Sequence, residues 1–205
     1  MKLDIARQPN VNDLRPCTRR ILMRATDARM QYGAEVCAEA LRKENCRISI
    51  AAVQNRGALR IACSYRTVSE PAVLVGAGVM PIVLLAQERQ FVHQKRSALG
   101  KEEASWLARN TSIETWQSRW EREPRGRWTA RLVSRLDSWL NREAGEVDFY
   151  ITLYLTGHGL FCSCLATMRK VVDVKCYYGD STVDDAHHTF LICARWSAER
   201  FSVEH

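Results

Sequence analysis

Three residues of types that bind zinc lie close together in the last part of the chain. Cys176, His188 and Cys193 fall within eighteen residues, and the last two have the His-x4-Cys spacing of small zinc modules. A structural zinc site takes four nitrogen or sulfur ligands and usually begins with Cys-x-x-Cys. Cys176 is followed by two tyrosines and a glycine, so the second thiolate is absent. The spacing predicts either a zinc site with a substitute ligand or ordinary Cys and His residues in a small domain.

A substitute for the missing thiolate must come from another side chain. His187 is a poor replacement, because adjacent residues on a helix point about 100° apart and His188 is already assigned to the site. The other candidates are two aspartates and two more distant cysteines: Asp180, Asp184, Cys162 and Cys164. Three ligands alone bind zinc weakly or leave a coordination position open.

Adjacent aspartates suggest a second kind of chemistry. Asp184 and Asp185, together with His158 between two glycines, could form a metal-dependent nuclease, because paired carboxylates hold two metal ions in such enzymes. The polymerase form of the motif has an aromatic residue two places before the first aspartate, where this chain has Thr182. A solvated acidic loop is the better interpretation of the pair, and a helix-breaking turn explains the glycines beside His158.

Residues 116–135 are rich in arginine and tryptophan and form a candidate nucleic-acid-binding surface. Guanidinium groups contact phosphates and exposed indoles such as that of Trp128 stack on bases. The candidate cations are Arg119, Arg122, Arg125, Arg127, Arg131 and Arg135. The alternative is that the tryptophans belong to the core and that the arginines are solvated or paired with Glu121 and Glu123.

The overall composition is that of an ordinary globular chain. Of 205 residues 46% are hydrophobic and 26% charged, and no apolar run approaches the ~20 residues of a membrane span. The first residues lack the apolar core of a signal peptide. The eight cysteines are scattered singly, which in the absence of such a signal favours reduced thiols or metal ligands over disulfides. We therefore expect an intracellular protein with no membrane partner.

Positive charge is concentrated toward the N-terminus. The net charge is +7 for residues 1–66, +3 for residues 67–141 and −3 for residues 142–205. This distribution favours an anionic partner, and RNA or DNA is the commonest one. The sequence shows no Walker loop, dinucleotide-binding fingerprint or Gly-x-Ser-x-Gly motif.

Hydrophobic spacing predicts helices that would position all these groups. One helix is predicted over roughly 47–64, the next begins after Ser69 and ends near Gly78, and a third runs from Pro81 to Gly100. The capping-box pattern Thr111-Ser112-Ile113-Glu114 predicts a helix that starts there and ends before Pro124. Further helices are predicted over about 132–145 and about 147–156. The fold class is therefore mainly α, with about seven or eight helices and a small C-terminal Cys/His module.

Several blocks along the chain resemble the segment that follows the polymerase palm in arthropod non-LTR (LINE-type) retrotransposon Pol proteins. In the first half these blocks are Tyr32-Gly33-Ala34-Glu35-Val36, Ser64-Tyr65-Arg66-Thr67-Val68-Ser69-Glu70-Pro71-Ala72 and Ala77-Gly78-Val79-Met80-Pro81-Ile82. In the second half they are Gly126-Arg127-Trp128-Thr129, Leu155-Thr156-Gly157-His158-Gly159-Leu160-Phe161 and Asp184-Asp185-Ala186-His187-His188-Thr189-Phe190. The resemblance covers nearly the whole chain in order.

The resemblance implies a C-terminal region of a reverse transcriptase. Residues 1–66 would be thumb-like basic helices, residues 67–155 a helical linker, and residues 156–205 a Cys-Cys-His-Cys knuckle that holds Zn²⁺ through Cys176, His188 and Cys193. In the family this region grips template RNA and target DNA during target-primed reverse transcription, beside a full-length polymerase and in the nucleus. The family has Cys-x-x-Cys-Gly where this chain runs from Cys176 straight to Gly179, and Trp where it has Cys37.

The family's polymerase activity lies in fingers and palm, which the matching blocks do not include. We therefore expect this chain to bind nucleic acid without polymerising DNA by itself. The lost cysteine also fits a decayed open reading frame with no activity, a third reading beside nucleic-acid binding and the nuclease.

Overall fold

A computed structural model describes residues 43–142, 147–179 and 181–204, together with isolated residues between 18 and 32. The side chains of residues 203 and 204 are not described. Within these ranges the chain is mainly helical and contains no β-strand, which confirms the predicted fold class. Most of the predicted thumb-like segment, Cys37 and Asp180 lie outside the described residues.

Four helices make up the first half of the described chain: α1 Glu44–Ile61, α2 Glu70–Ala77, α3 Ile82–Leu99 and α4 Lys101–Arg122. Five more helices of at most eight residues follow: α5 Arg127–Leu132, α6 Leu136–Leu140, α7 Phe149–Thr156, α8 Cys162–Thr167 and α9 Ser197–Glu204. Between α8 and α9 lie a π-helical turn, His188–Ile192, and a 3-10 turn, Ala194–Trp196. We call residues 162–179 and 181–204 the Cys/His segment.

Helix α2 forms the centre of the core. Its residues from Ala72 to Ala77 are all buried, because it is apolar on every face and α1, α5 and α7 pack around it. Proline in its first turn and Gly78 in the left-handed conformation after its last residue set its ends, as the sequence predicted. No single described helix is long and apolar enough to cross a membrane, although α2 and α3 reach that length together with a 58° bend between them.

Helices α3 and α4 form an antiparallel hairpin that turns at Gly100. The N-terminal end of α3 contributes the buried residue Leu84 to the core, and the C-terminal end of α4 contributes Trp116 and Trp120. The predicted start of α4 at Thr111 is wrong, because the helix begins ten residues earlier at Lys101. The Thr111 hydroxyl donates a hydrogen bond to the Leu107 carbonyl 2.9 Å away, so it bonds back within the helix instead of capping it.

Two buried side chains, Gln54 and Trp120, hold the loops around this core by hydrogen bonds. Gln54 of α1 donates to the Met80 carbonyl at 2.9 Å and accepts from the Ile82 amide at 2.8 Å, so one side chain satisfies both ends of the loop before α3. The Trp120 indole donates to the Val133 carbonyl at 3.0 Å. Val133 ends α5 with a non-helical backbone. Within the range of about 132–145, for which a single helix was predicted, the described residues form only α6, and α5 ends at Leu132, where that helix was predicted to begin.

Candidate metal centre and basic surface

The Cys/His segment is organised around the carboxylate of Asp184. One oxygen accepts the Cys162 amide at the start of α8 at 2.9 Å, and the other accepts the Thr189 hydroxyl of the π-helical turn at 2.7 Å. The Asp184 amide and the Ser163 amide bond to the Val174 and Asp184 carbonyls, at 2.7 and 3.0 Å. Asp184 therefore holds α8, the preceding loop and the π-helical turn together, and both of its oxygens have protein donors.

The neighbouring aspartate positions His188. The Asp185 carboxylate accepts the His188 amide at 2.7 Å, at the first residue of the π-helical turn. At the other end of that turn the Cys193 amide donates to the His188 carbonyl at 2.7 Å. The His-x4-Cys spacing thus closes one wide turn and brings its two end residues together.

Cys176 joins them to form a group of three possible metal ligands. The ligand atoms of Cys176, His188 and Cys193 all lie within 4.8 Å of one another, and the two Sγ atoms are 3.7 Å apart. Two thiolates bound tetrahedrally to one Zn²⁺ at its usual Zn–S distance are separated by about 3.8 Å. The spacing of the two sulfur atoms therefore fits a zinc ion without rearrangement.

Two further observations fit a metal at this place. His188 is buried, yet its Nε2 has no hydrogen-bond partner. A buried polar atom without a partner lowers the stability of the fold, unless a ligand such as a metal ion binds it. The Tyr178 amide points at the Cys176 Sγ from 3.4 Å, an arrangement typical of backbone groups around zinc-bound sulfur. That amide lowers the pKa of Cys176, but burial and the adjacent Cys193 thiol outweigh it, so the pKa is raised when no metal is bound.

None of the described candidates for a fourth ligand joins this group. Asp184 is occupied as described above, and the Cys164 thiol donates to the Gly157 carbonyl at 3.6 Å. The His187 ring lies against Trp128. Burial and a hydrogen bond to Asp184 raise the pKa of the Cys162 thiol to about 11. Beside His188 there is instead an open cleft of about 530 Å³, lined by Gly179, Ser181, Val183, Asp185, His187, His188, Ile192 and Ala194.

The geometry of the described residues does not support the nuclease hypothesis. His158, Asp184 and Asp185 do not form a group of converging ligand atoms, whereas among the described residues Cys176, His188 and Cys193 do. The aspartates serve as acceptors for backbone amides and a hydroxyl, and His158 Nδ1 lies 3.0 Å from the Thr156 carbonyl. These side chains hold turns together.

The six arginines predicted to contact phosphates fall into two groups. Three are held by the protein: Arg125 binds Glu123 at 2.7 Å, Arg135 binds Asp137 at 3.0 Å, and Arg127 donates to the carbonyls that end α4, including that of Glu123 at 2.7 Å. The other three are exposed and have no side-chain partner within the described part of the chain: Arg119, Arg122 and Arg131.

The tryptophans of the same stretch point inward. Trp116 and Trp120 are buried in the core. Trp128 is half-buried; its Nε1 donates to the Tyr154 carbonyl at 2.6 Å, and its ring meets the rings of Tyr154 and His187 edge to face. Trp128 therefore connects the helical body to the Cys/His segment.

A surface that the sequence analysis missed lies beside the metal group. Tyr178 and Trp196 are 65% and 41% exposed, and the Arg195 guanidinium lies 5.9 and 5.0 Å from their ring centroids. Exposed aromatic rings beside an arginine are suited to stacking on bases. The available signal in the sequence was that these residues lie two or three positions after Cys176 and Cys193.

The chain is similar to a curated protein, the Retrovirus-related Pol polyprotein from type-1 retrotransposable element R1 2 of Nasonia vitripennis. The two are 25% identical over 205 residues, an alignment that covers 91% of this chain and 50% of the relative. This chain thus spans about half the length of the curated relative that it matches. No family model matches the sequence, and no solved structure matches it. The similarity indicates a relationship to non-LTR retrotransposon Pol proteins.

Proposed function

We propose that this chain is a nucleic-acid-binding part of a non-LTR retrotransposon Pol protein. In this proposal it grips template RNA or target DNA in the nucleus during target-primed reverse transcription, beside a polymerase that supplies the catalytic palm. The observation that carries the proposal is the similarity to an R1 Pol polyprotein along 91% of the chain. The chemistry of the described surface supports it in two places.

The first support is the set of unpaired arginines. Arg119 and Arg122 lie one turn apart on α4, and Arg131 lies on α5. Because their guanidinium groups are exposed and unpaired in the described chain, they reach phosphates without breaking an ion pair or uncapping a helix. The other three arginines would have to give up the contacts described above.

The second support is the metal group. Cys176, His188 and Cys193 would hold Zn²⁺, which supplies folding free energy to a segment with a small apolar core. A rigid segment presents Tyr178, Arg195 and Trp196 as a fixed surface for bases, with less entropy to lose on binding.

The test is the salt dependence of binding to single-stranded RNA and DNA oligonucleotides of the same sequence. Each phosphate contact on a single strand contributes about −0.7 to the slope of log affinity against log salt concentration. Replacing Arg119, Arg122 and Arg131 together by Gln is expected to reduce the magnitude of that slope by about 2. The matched control replaces the three held arginines, Arg125, Arg127 and Arg135, and is expected to change it less.

An affinity that stays constant between low and moderate salt would contradict the proposal, because counterion release is then absent. An equal effect of both triple substitutions would contradict only the choice of arginines, because it would mean that the arginine partners seen in the structure do not decide which cations reach phosphate. Circular dichroism of each variant checks that the helices are retained.

A further inference from the structure

The three possible ligands leave one side of the metal group without a protein donor among the described residues. Cys176 and Cys193 contribute sulfur and His188 contributes nitrogen, whereas structural zinc sites have four such ligands. The described side chains that could add a fourth are committed elsewhere: Asp184 to an amide and a hydroxyl, Cys164 to a carbonyl. Sites with three protein ligands and one open position bind small molecules at the metal.

The open cleft beside His188 is the place where such a ligand would enter. Its volume of about 530 Å³ falls in the range of small-molecule sites. His188 is one of its lining residues, so the cleft borders the metal group at this ligand. Much of the remaining lining is small or apolar, including Gly179, Val183 and Ala194.

Gly179 marks the position at which a closed site would carry a ligand. It stands three residues after Cys176, the spacing of a Cys-x-x-Cys pair, and it lines the same cleft as His188. A Cβ atom built on Gly179 would meet no heavy atom within 4 Å, so the space that a cysteine side chain would take is open.

We propose that this centre, when it holds zinc, keeps a coordination position open to the cleft and binds a small thiol there. The inference rests on the metal part of the proposed function. A thiolate is the expected ligand because it completes the Cys3His donor set of structural zinc sites, and the small or apolar walls suit its carbon chain. The thiol loses its proton to the solvent as the sulfur–metal bond forms, and a solvent molecule leaves; nothing is oxidised or reduced.

The test uses the full chain loaded with Co²⁺ in thiol-free buffer, because thiolate-to-cobalt charge-transfer absorption reports the number of bound sulfurs. Adding 2-mercaptoethanol is expected to raise this absorption by about half, since a third thiolate joins two. The methylated analogue 2-(methylthio)ethanol is expected to have no effect, because its sulfur cannot ionise. The matched variant is Gly179→Cys, which is expected to show the higher absorption from the start and no response to the thiol.

Each other result overturns the inference in a distinguishable way. Failure of the native chain to bind Co²⁺ overturns the metal site and the inference together. Binding of Co²⁺ without a response to the thiol overturns the open position alone, and a response confined to Asp180→Ala identifies that carboxylate as the closing ligand. A three-sulfur spectrum before thiol is added, with a dimer in size-exclusion chromatography, assigns the position to a cysteine of a second copy. A response that persists in Gly179→Cys places the open position away from Gly179.

Discussion

The indole of Trp128 meets the imidazole of His187 edge to face, with ring centroids 6.1 Å apart. His187 directly precedes the possible metal ligand His188, and the other side of the indole is bonded to the Tyr154 carbonyl of α7. A single side chain on α5 therefore links the helical body to the residues that would hold a metal. The orientation of the Cys/His segment depends on packing within the chain as well as on its ligands.

Replacing Trp128 by Ala is expected to lower the free energy of unfolding by about 3 kcal/mol, because it removes both ring contacts and the hydrogen bond to Tyr154. Trp128→Phe keeps an aromatic ring and is expected to cost about 1 kcal/mol, the value of the lost hydrogen bond. Urea denaturation of the two variants measures both. If Trp128→Ala unfolds like the native chain but binds oligonucleotides ten times more weakly, the indole stacks on bases instead.

Replacing Gly157 by Ala is expected to lower the free energy of unfolding by roughly 1–3 kcal/mol. Gly157 ends α7 with a φ of 66°, and a Cβ there would lie 2.8 Å from Cδ1 of Trp128, so both the backbone and the close approach require glycine. Gly76→Ala within α2 is the control: a Cβ there meets nothing within 4 Å, and the helix should gain about 0.5–1 kcal/mol. Thermal unfolding that moves in the same direction for both variants would contradict this account.

Replacing Arg125 by Gln is expected to raise the pKa of both Glu123 and Glu70. The hydrogen bond from Arg125 lowers the pKa of Glu123, whereas burial raises the pKa of Glu70 and the charge of Arg125 partly opposes that rise. Titration of the carboxyl carbon resonances by NMR measures the two values. Arg122→Gln is the matched control, since Arg122 is exposed and has no side-chain partner in the described ranges, and should move neither.

The same shifts determine how the pair contributes to stability as the pH changes. Because the pKa of Glu123 is lowered in the folded state, its pairing with Arg125 stabilises the fold above the ordinary glutamate pKa, and this contribution is lost as the pH falls through the lowered value. The raised pKa of Glu70 acts in the opposite sense: its contribution is present at low pH and is lost as the pH rises through the raised value. Since Arg125 and Glu123 are near the surface, the pairing is worth below about 1 kcal/mol.

Local sequence signals predicted the helix ends that depend on backbone chemistry. Proline in the first turn of α2 and glycine after α2, α3 and α7 act through their own φ angles, so the prediction needed no knowledge of neighbours. The start of α4 was missed because a Thr side chain in a capping-box pattern can also bond back to the preceding turn. The N-cap of α7 was missed as well: Asp148 accepts the Ile151 amide at 2.8 Å.

Sequence spacing alone determined the mainly helical fold and the identity of the three possible ligands, because both depend on residue types a few positions apart in the chain. Only the tertiary structure decided which of the candidate metal ligands come together in one group. Asp184 and Asp185 lie within four residues of His188 in the sequence. In the folded chain, however, their carboxylate oxygens accept hydrogen bonds from amides and a hydroxyl instead of joining the metal group. Likewise six arginines look alike in the sequence, and only the folded chain shows which three are held: Arg125 and Arg135 pair with carboxylates two residues away, and Arg127 reaches the carbonyls at the end of α4.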